Sequence, residues 1–572
     1  MQSVLERIYE NLVEEKNPRI KIKSKIKKMK VNTLDKQFLI FITVSNNNSQ
    51  TYIVRGQHKN LSKAIEIAIN NYLENKPTNK FTPRSIKLEI VTDMYPVKNS
   101  QTELNINKDK VSYDRGLEGL AFGPAAETAF LPAEVAGYSI IRRNKIHLNN
   151  SFRAIRKHLP STLSNFTKPL DEGNNVEVHK FKTKEYYIDK NGFHELYRGH
   201  RTYTDLTKKD LKQAIRLTKN NYFKNVVQTS GKYIYSFLPH LNKREKRYNM
   251  LRHAGTTYSM LETYELMPDD KLLAEAKRAF DYLFDRIKTH KINDKKVKVV
   301  VEKNAQKIGG NALTIVALAK YTQATGDEQY IPLMQDLASW LKEVQGDDGE
   351  FKIHKQNHST GEIFDFISHY YPGESILALV RLYQIDKDEA WLDVAENAAN
   401  FLINIRDNDA TIDTIAHDHW LLYALNDLYR ERPKEMYLNH SFFIAEAMMK
   451  TQITEEMASR QELVGGYVPK SGNEPSSTPV ACRSEGLSAV YNLANDFGHK
   501  DMAKKAKHAI KQGIKFQLQM HLGPESVMFY KRKKLCLGAV QAGLKSLSLR
   551  NDFTQHNISS FIAYYNILNK AK

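Results

Sequence analysis

One arrangement recurs between Tyr248 and Lys572: a polar, aromatic cluster followed at once by a helix of small and apolar residues. The clearest instance is Phe364-Asp365-Phe366-Ile367-Ser368-His369-Tyr370-Tyr371-Pro372-Gly373-Glu374-Ser375, with the apolar run 376–383 behind it. Ser375 or Gly373 can cap the new helix, and Glu374 would lie in its first turn, where the helix dipole favours a carboxylate. The stretch Gly310-Asn311-Ala312-Leu313-Thr314-Ile315-Val316-Ala317-Leu318-Ala319 is apolar nearly all round, which suits burial on both sides. Helices of this kind are predicted to begin near Leu251, Gly310, Gly373, His417, Arg483 and Leu537. A second, amphipathic helix is predicted after each, over 270–288, 327–344, 389–405, 433–451, 500–519 and 557–570. These second helices carry one apolar stripe, such as Leu392, Ala395, Ala398, Ala399 and Leu402. The unit length varies, so this is not a short, strict solenoid repeat.

The chain has 572 residues, which calls for more than one domain. Residues 1–15 have helical spacing, with Val4, Ile8, Leu12 and Val13 on one face. Residues 16–30 are a basic stretch, read as a solvated arm. Strands are predicted over 38–45 and 52–55, joined by Asn46-Asn47-Asn48, and over 86–91. Between them, Leu61, Ala64, Ile65, Ala68, Ile69 and Tyr72 form the stripe of a helix over 61–73. Residues 114–135 form a Gly- and Ala-rich strand-turn segment. A hairpin is predicted over 181–198, with Asp189-Lys190-Asn191-Gly192 as its turn. An amphipathic, Lys-rich helix over 206–227 would bridge the two halves. The expected organisation is therefore a basic N-terminal helix and linker (1–34), an α+β domain (35–230) and an all-α domain (231–572).

Lys and Arg number 85 against 65 Asp and Glu, a net charge of +20. Such a surface favours polyanions, among them anionic glycans and other anionic polymers. No run of Lys/Arg interleaved with aromatics, zinc-finger pattern or RNP motif is present, so nucleic-acid binding rests on charge alone and is the weakest reading. Only Cys482 and Cys536 occur, which excludes a disulfide framework and suits a reducing compartment. No apolar run reaches the ~18 residues of a membrane span, and no N-terminal segment resembles a signal peptide. A soluble, cytoplasmic protein is expected.

Six alternating buried and half-exposed helices resemble the six-hairpin (α/α)6 toroid. The resemblance implies that loops before the inner helices converge on one end of the barrel and line a cleft. It also implies sugar chemistry, since glycosidases, unsaturated glucuronyl hydrolases, sugar epimerases and polysaccharide lyases share this fold. Residues 35–140 are similar to the AMMECR family domain. The similarity is carried by Val54-Arg55-Gly56, Lys87-Leu88-Glu89-Ile90-Val91, Gly116-Leu117-Glu118-Gly119-Leu120 and Thr128-Ala129-Phe130-Leu131-Pro132. The loop cysteine of that family is replaced by Gln57.

If the toroid is right, polar residues at the starts of inner helices share the cleft. Glycosidic hydrolysis needs one protonated and one ionised carboxyl group. Glu374, Asp418, Glu485 and Asp365 are the carboxylates at that end, and Glu374 or Glu485 could instead cap a helix and pair with Arg252 or Arg483. His417-Asp418-His419-Trp420 is the densest cluster. Two His at i and i+2 point differently on a helix, which argues against a metal shared between them and for separate acid/base groups. His253 joins them as a candidate proton carrier. Arg252, Asp365, His369, Tyr370, Tyr371, Trp420, Tyr467 and Arg483 are candidate substrate-binding groups. No metal or cofactor is called for, no Cys/Cys-His zinc set is evident, and both cysteines read as inert. The sequence thus points to a carbohydrate-active enzyme, hydrolase or epimerase, acting on an oligosaccharide or anionic glycan. The alternative is a non-catalytic scaffold that binds a polyanionic polymer or a protein partner.

Overall fold

In the computed structural model, residues 1–570 are described except 15–28, 34, 48–50, 76–80, 99–100, 106–107, 124–125, 127, 148–174, 469–471 and 473. Most of the basic stretch 16–30 lies outside the described residues.

The first part is built on an antiparallel sheet. Its spatial order is His200–Arg201, Gly192–Tyr197, Asn175–Asp189, Ser85–Pro96, Phe38–Ser45 and Thr51–His58. The short strands Glu118–Phe122 and Thr128–Phe130 extend it from the long strand Asn175–Asp189. The helix Leu61–Glu74 buries Ala64, Ile65, Ala68 and Ile69. It lies so close to the sheet that a Cβ on Gly56 would meet the Ala64 carbonyl oxygen at 1.9 Å. Only glycine allows that approach. The predicted strands, helix and hairpin are all present here, because alternation and turn chemistry act locally.

The second part is a closed ring of six inner helices: Met250–Leu266, Ile308–Thr325, Tyr371–Asp386, His419–Glu431, Ser477–Asp496 and Asn551–Lys570. Each packs against the next, and the sixth against the first. Five outer helices follow their inner partners: Asp270–Phe284, Ile331–Glu343, Glu389–Phe401, Glu435–Lys450 and Lys500–Leu518. The sixth outer helix comes first in the chain. It is Lys208–Thr218, which packs on Asn551–Lys570 and starts with a reciprocal cap between Thr207 and Asp210.

Three assignments are corrected by the structure. The outer helix expected over 557–570 belongs to the inner helix Asn551–Lys570: Asn551, Thr554, Asn557, Ser559, Ser560 and Phe561 are all buried. Their polarity imitates an exposed face, yet they face neighbouring helices. Ser560, for example, donates to Gln517 Oε1 at 2.6 Å. The helix expected to bridge the halves is part of the ring. Leu537 begins no inner helix; it follows the short helix Lys533–Cys536 and precedes a hairpin. The strands Ile287–Ile292 and Lys295–Glu302 were also not anticipated. Among the described residues, no helix is long and apolar enough to cross a membrane.

Buried ion pairs join the sheet to the ring. Arg201 bonds Glu525 through Nε at 2.9 Å, with both side chains almost fully buried. Arg198 bonds Glu462 at 2.8 Å and Asp114 at 2.7 Å. Removing one partner of such a pair leaves a charge in a low-dielectric site. Arg201→Ala is therefore expected to lower the unfolding free energy by about 3–5 kcal/mol. Urea titration of R201A and of the doubly apolar R201M/E525M, which should recover most of that loss, checks the cause.

Candidate functional site

The N-terminal ends of the inner helices surround a cavity of about 560 Å³. Glu374, His417, His419, Trp420, Cys482, Arg483 and His556 are among the side chains that line it.

Glu374 sits in the first turn of the third inner helix, after Pro372 and Gly373. It is buried, and its Oε2 has no hydrogen-bond partner. A helix N-terminus favours the ionised form by about 0.3–1 kcal/mol, less than one pH unit. Burial can move a carboxyl by several units the other way. Burial wins here: together with the nearby Asp418 charge it holds the Glu374 carboxyl well above the usual range. Gly309 makes the close fit possible, since a Cβ there would meet Glu374 Oε2 at 2.4 Å and the Tyr371 ring at 2.6 Å.

Asp418 caps the fourth inner helix, its Oδ1 accepting from Trp420 N at 3.0 Å and Leu421 N at 3.2 Å. Burial pushes its carboxyl up to about 7, against the opposing Arg406 charge and the two cap N–H groups. It lies behind the cavity lining and acts on Glu374 as a charge.

A second cluster forms where the fourth, fifth and sixth inner helices meet. His556 Nδ1 donates to Glu485 Oε2 at 2.8 Å, and the Cys482 thiol lies within hydrogen-bond reach of the same ring. His419 stands edge-on to His556, with ring centroids 5.3 Å apart. Both nitrogens of His419 are buried without a hydrogen-bond partner. Burial pushes its pKa well below the usual value, so it is a neutral imidazole. Burial raises Glu485 to about 7. The Cys482 thiol and Glu485 together raise His556 against its own burial. Burial also raises the Cys482 thiol, so it is protonated at rest.

One donor atom from each of His419, Cys482, Glu485 and His556 fits within 4.8 Å. Two imidazole nitrogens, a thiolate and a carboxylate oxygen suit Zn²⁺. Binding an ion there would require Cys482 and His556 to release protons.

The remaining candidates separate clearly. Tyr370, Tyr371, Arg252 and Arg483 line the cavity with Trp420. Neither arginine pairs with Glu374 or Glu485: Arg252 Nε bonds Asp552 at 2.8 Å, and Arg483 Nε donates to His417 Nδ1 at 3.0 Å. Tyr467 is buried beneath Arg483, outside the lining. Asp365 and His369 lie exposed on the preceding loop, also outside it. His253 is corrected to a structural role. Its Nδ1 accepts from the Tyr248 hydroxyl at 2.7 Å, its Nε2 donates to the Ala279 carbonyl at 2.8 Å, and burial pushes it down to about 3. Glu485, a candidate catalytic carboxylate with helix capping as the alternative, is an interior residue and no cap, because the fifth inner helix begins at Ser477 rather than near Arg483.

Sequence reasoning missed His556 and treated Cys482 as inert. The signal for both was the sixth inner helix: once Asn551–Lys570 turns inward, His556 faces Cys482 and Glu485. Asp552, which couples Arg252 and Arg550, was missed for the same reason.

Residues 280–513 match the family described as "Beta-L-arabinofuranosidase, GH127 catalytic domain". The match takes in Glu374, Asp418, His419, Cys482 and Glu485 but ends before His556. No curated protein matches the chain. Similar solved structures include a cellobiose 2-epimerase from Bacillus thermoamylovorans B4167, at 12% identity and TM-score 0.47, covering 63% of this chain and 100% of that one. A GH76A alpha-1,6-mannanase from Salegentibacter sp. HEL1_6 is 13% identical, with TM-score 0.44 and the same coverage. A D-mannose isomerase is 12% identical, with TM-score 0.45, covering 63% of this chain and 98% of that one. The family match supports a carbohydrate-active enzyme of glycosidase type.

Proposed function

We propose that this chain is a glycoside hydrolase whose active site is the ring cavity. The observation that carries the reading is a buried Glu374 carboxyl, its Oε2 without a hydrogen-bond partner, in the same cavity as a Cys482–His556–Glu485 set. A general acid must hold its proton at working pH, and a nucleophile needs a neighbouring base that a third group orients. Glu374 gives its proton to the departing glycosidic oxygen. Cys482 passes its proton to the His556–Glu485 pair, and its sulfur attacks the anomeric carbon as the C–O bond breaks. Water then displaces the sulfur, its proton going to the Glu374 carboxylate. Tyr370 and Trp420 supply aromatic faces for the sugar ring.

A second reading is favoured by one observation. His419 is neutral with both nitrogens free of hydrogen bonds, as a proton-abstracting base in an epimerase would be. The test is to incubate the protein with aryl glycosides and oligosaccharides in D₂O. Release of reducing ends without deuterium at sugar carbons supports hydrolysis. Carbon-bound deuterium without cleavage replaces it with epimerisation. Neither outcome across arabinosyl, mannosyl, glucosyl and uronosyl substrates overturns the enzyme reading in favour of a polyanion-binding scaffold. Repeating the assay with a zinc chelator shows whether activity depends on an ion held by the four donors.

A further inference from the structure

Three arginines line the cavity, and they are not equivalent. Arg252 and Arg550 share Asp552, at 2.8 Å from Arg252 Nε and 2.5 Å from Arg550 Nε. Arg483 forms no ion pair with a carboxylate among the described residues. Its Nε donates to His417 Nδ1 at 3.0 Å and its Nη1 to the Pro479 carbonyl at 3.0 Å, while Nη2 has no acceptor among the described residues. The guanidinium lies over the Tyr467 ring, 5.0 Å from its centroid, so its plane is held in place. Of the two carboxyl groups in the lining, Asp552 is taken by Arg252 and Arg550, and burial favours the uncharged form of Glu374.

A half-buried cation without a counterion has given up part of its hydration, and a neutral ligand would not make good that loss. A planar fork with a free N–H edge matches an oxyanion and gives charge-assisted bonds about twice as strong as neutral ones. The shared Asp552 leaves the Arg252–Arg550 side with one excess positive charge as well, so the cavity favours an anion from two directions.

We propose that Arg483 anchors an oxyanion on the sugar bound in this cavity, a uronic-acid carboxylate or a sugar phosphate. Taking the ligand as a sugar rests on the hydrolase reading above; the anion site itself does not. His417 is a positioning residue for it: by accepting from Nε it fixes the guanidinium and keeps its own proton on Nε2.

The experiment is a binding titration without turnover, by calorimetry, using D-glucuronate, D-glucose 6-phosphate, inorganic phosphate and D-glucose as probes. At least one charged sugar is expected to bind about tenfold or more tighter than glucose, the worth of one charged hydrogen bond. Which of the two charged sugars binds tighter identifies the source. R483M should abolish the preference, R483K should keep part of it, and raising the salt concentration should weaken it in the wild type. Equal binding of glucose and both charged sugars overturns the proposal, as does a folded R483M that keeps the preference. If R483M does not fold, R483K and the salt series decide: unchanged preference in both overturns it. Anion-selective binding with no cleavage would leave the site intact and remove only the hydrolase reading. Cleavage of neutral glycosides with no anion preference would do the reverse. Inorganic phosphate binding as tightly as either charged sugar would overturn the sugar part and leave a bare anion site.

Discussion

Glu374→Gln is expected to lower kcat by about 10²–10⁴-fold while leaving the fold intact. Glutamine keeps the shape and can fill the space beside Gly309, but it cannot deliver a proton to a leaving oxygen. The same substitution has a stability signature of opposite sign. Glu374 is held well above its ordinary pKa by burial and by Asp418, so the folded protein binds a proton that the unfolded chain releases above about pH 4.5. Wild-type stability therefore falls as pH rises from that point, by about 1.4 kcal/mol per pH unit from this group, until the folded carboxyl itself titrates. Glutamine has no such proton to lose. E374Q should match the wild type in stability near pH 4 and exceed it increasingly toward pH 7. Unfolding titrations of the two proteins at pH 4, 5.5 and 7 check this. A constant difference across that range would mean that Glu374 is ionised in the folded state, which removes it as the acid.

Cys482→Ala is expected to abolish cleavage of unactivated glycosides. C482S should retain a small residue, because an alcohol is a far weaker nucleophile than a thiolate. Glu485→Gln should act through His556: it removes the carboxylate that accepts from Nδ1 at 2.8 Å and with it one of the two neighbours that make the ring more basic. Loss of kcat with little change in KM is the expected pattern for both variants, since neither group is placed to hold the sugar in the ground state. Mass spectrometry of wild-type protein quenched during turnover should show a sugar adduct on Cys482 and none on Cys536, which is buried away from the cavity. Full activity in C482A would sink the nucleophile assignment and return the second role to Glu485.

Much of the ring was legible in the sequence because its signals are local. The apolar helix at Ile308–Thr325 and the cluster before Tyr371–Asp386 announce a buried helix and its polar mouth without reference to anything else. Glu374, His419, Tyr370, Tyr371, Trp420 and Arg483 could be named from that pattern together with the toroid resemblance, and the strands and turn of the N-terminal sheet from local pattern alone.

What remained open depends on closure of the ring. The sixth inner helix carries Asn551, Asp552, Thr554, Gln555, His556, Asn557, Ser559 and Ser560, a polar face that periodicity assigns to solvent. Only the closed ring supplies partners such as Arg252, Glu485 and Gln517 that make burying those groups affordable. The same closure recruits Lys208–Thr218 from the far end of the chain as the last outer helix. Local pattern in the sequence determined which segments are helices and which polar clusters stand at their ends. The tertiary structure decided which of those clusters meet, because a hydrogen bond between residues 485 and 556 leaves no trace in either neighbourhood. It also decided charge: whether Glu374 keeps its proton and whether Arg483 lacks a counterion are set by burial and distance, which no spacing encodes.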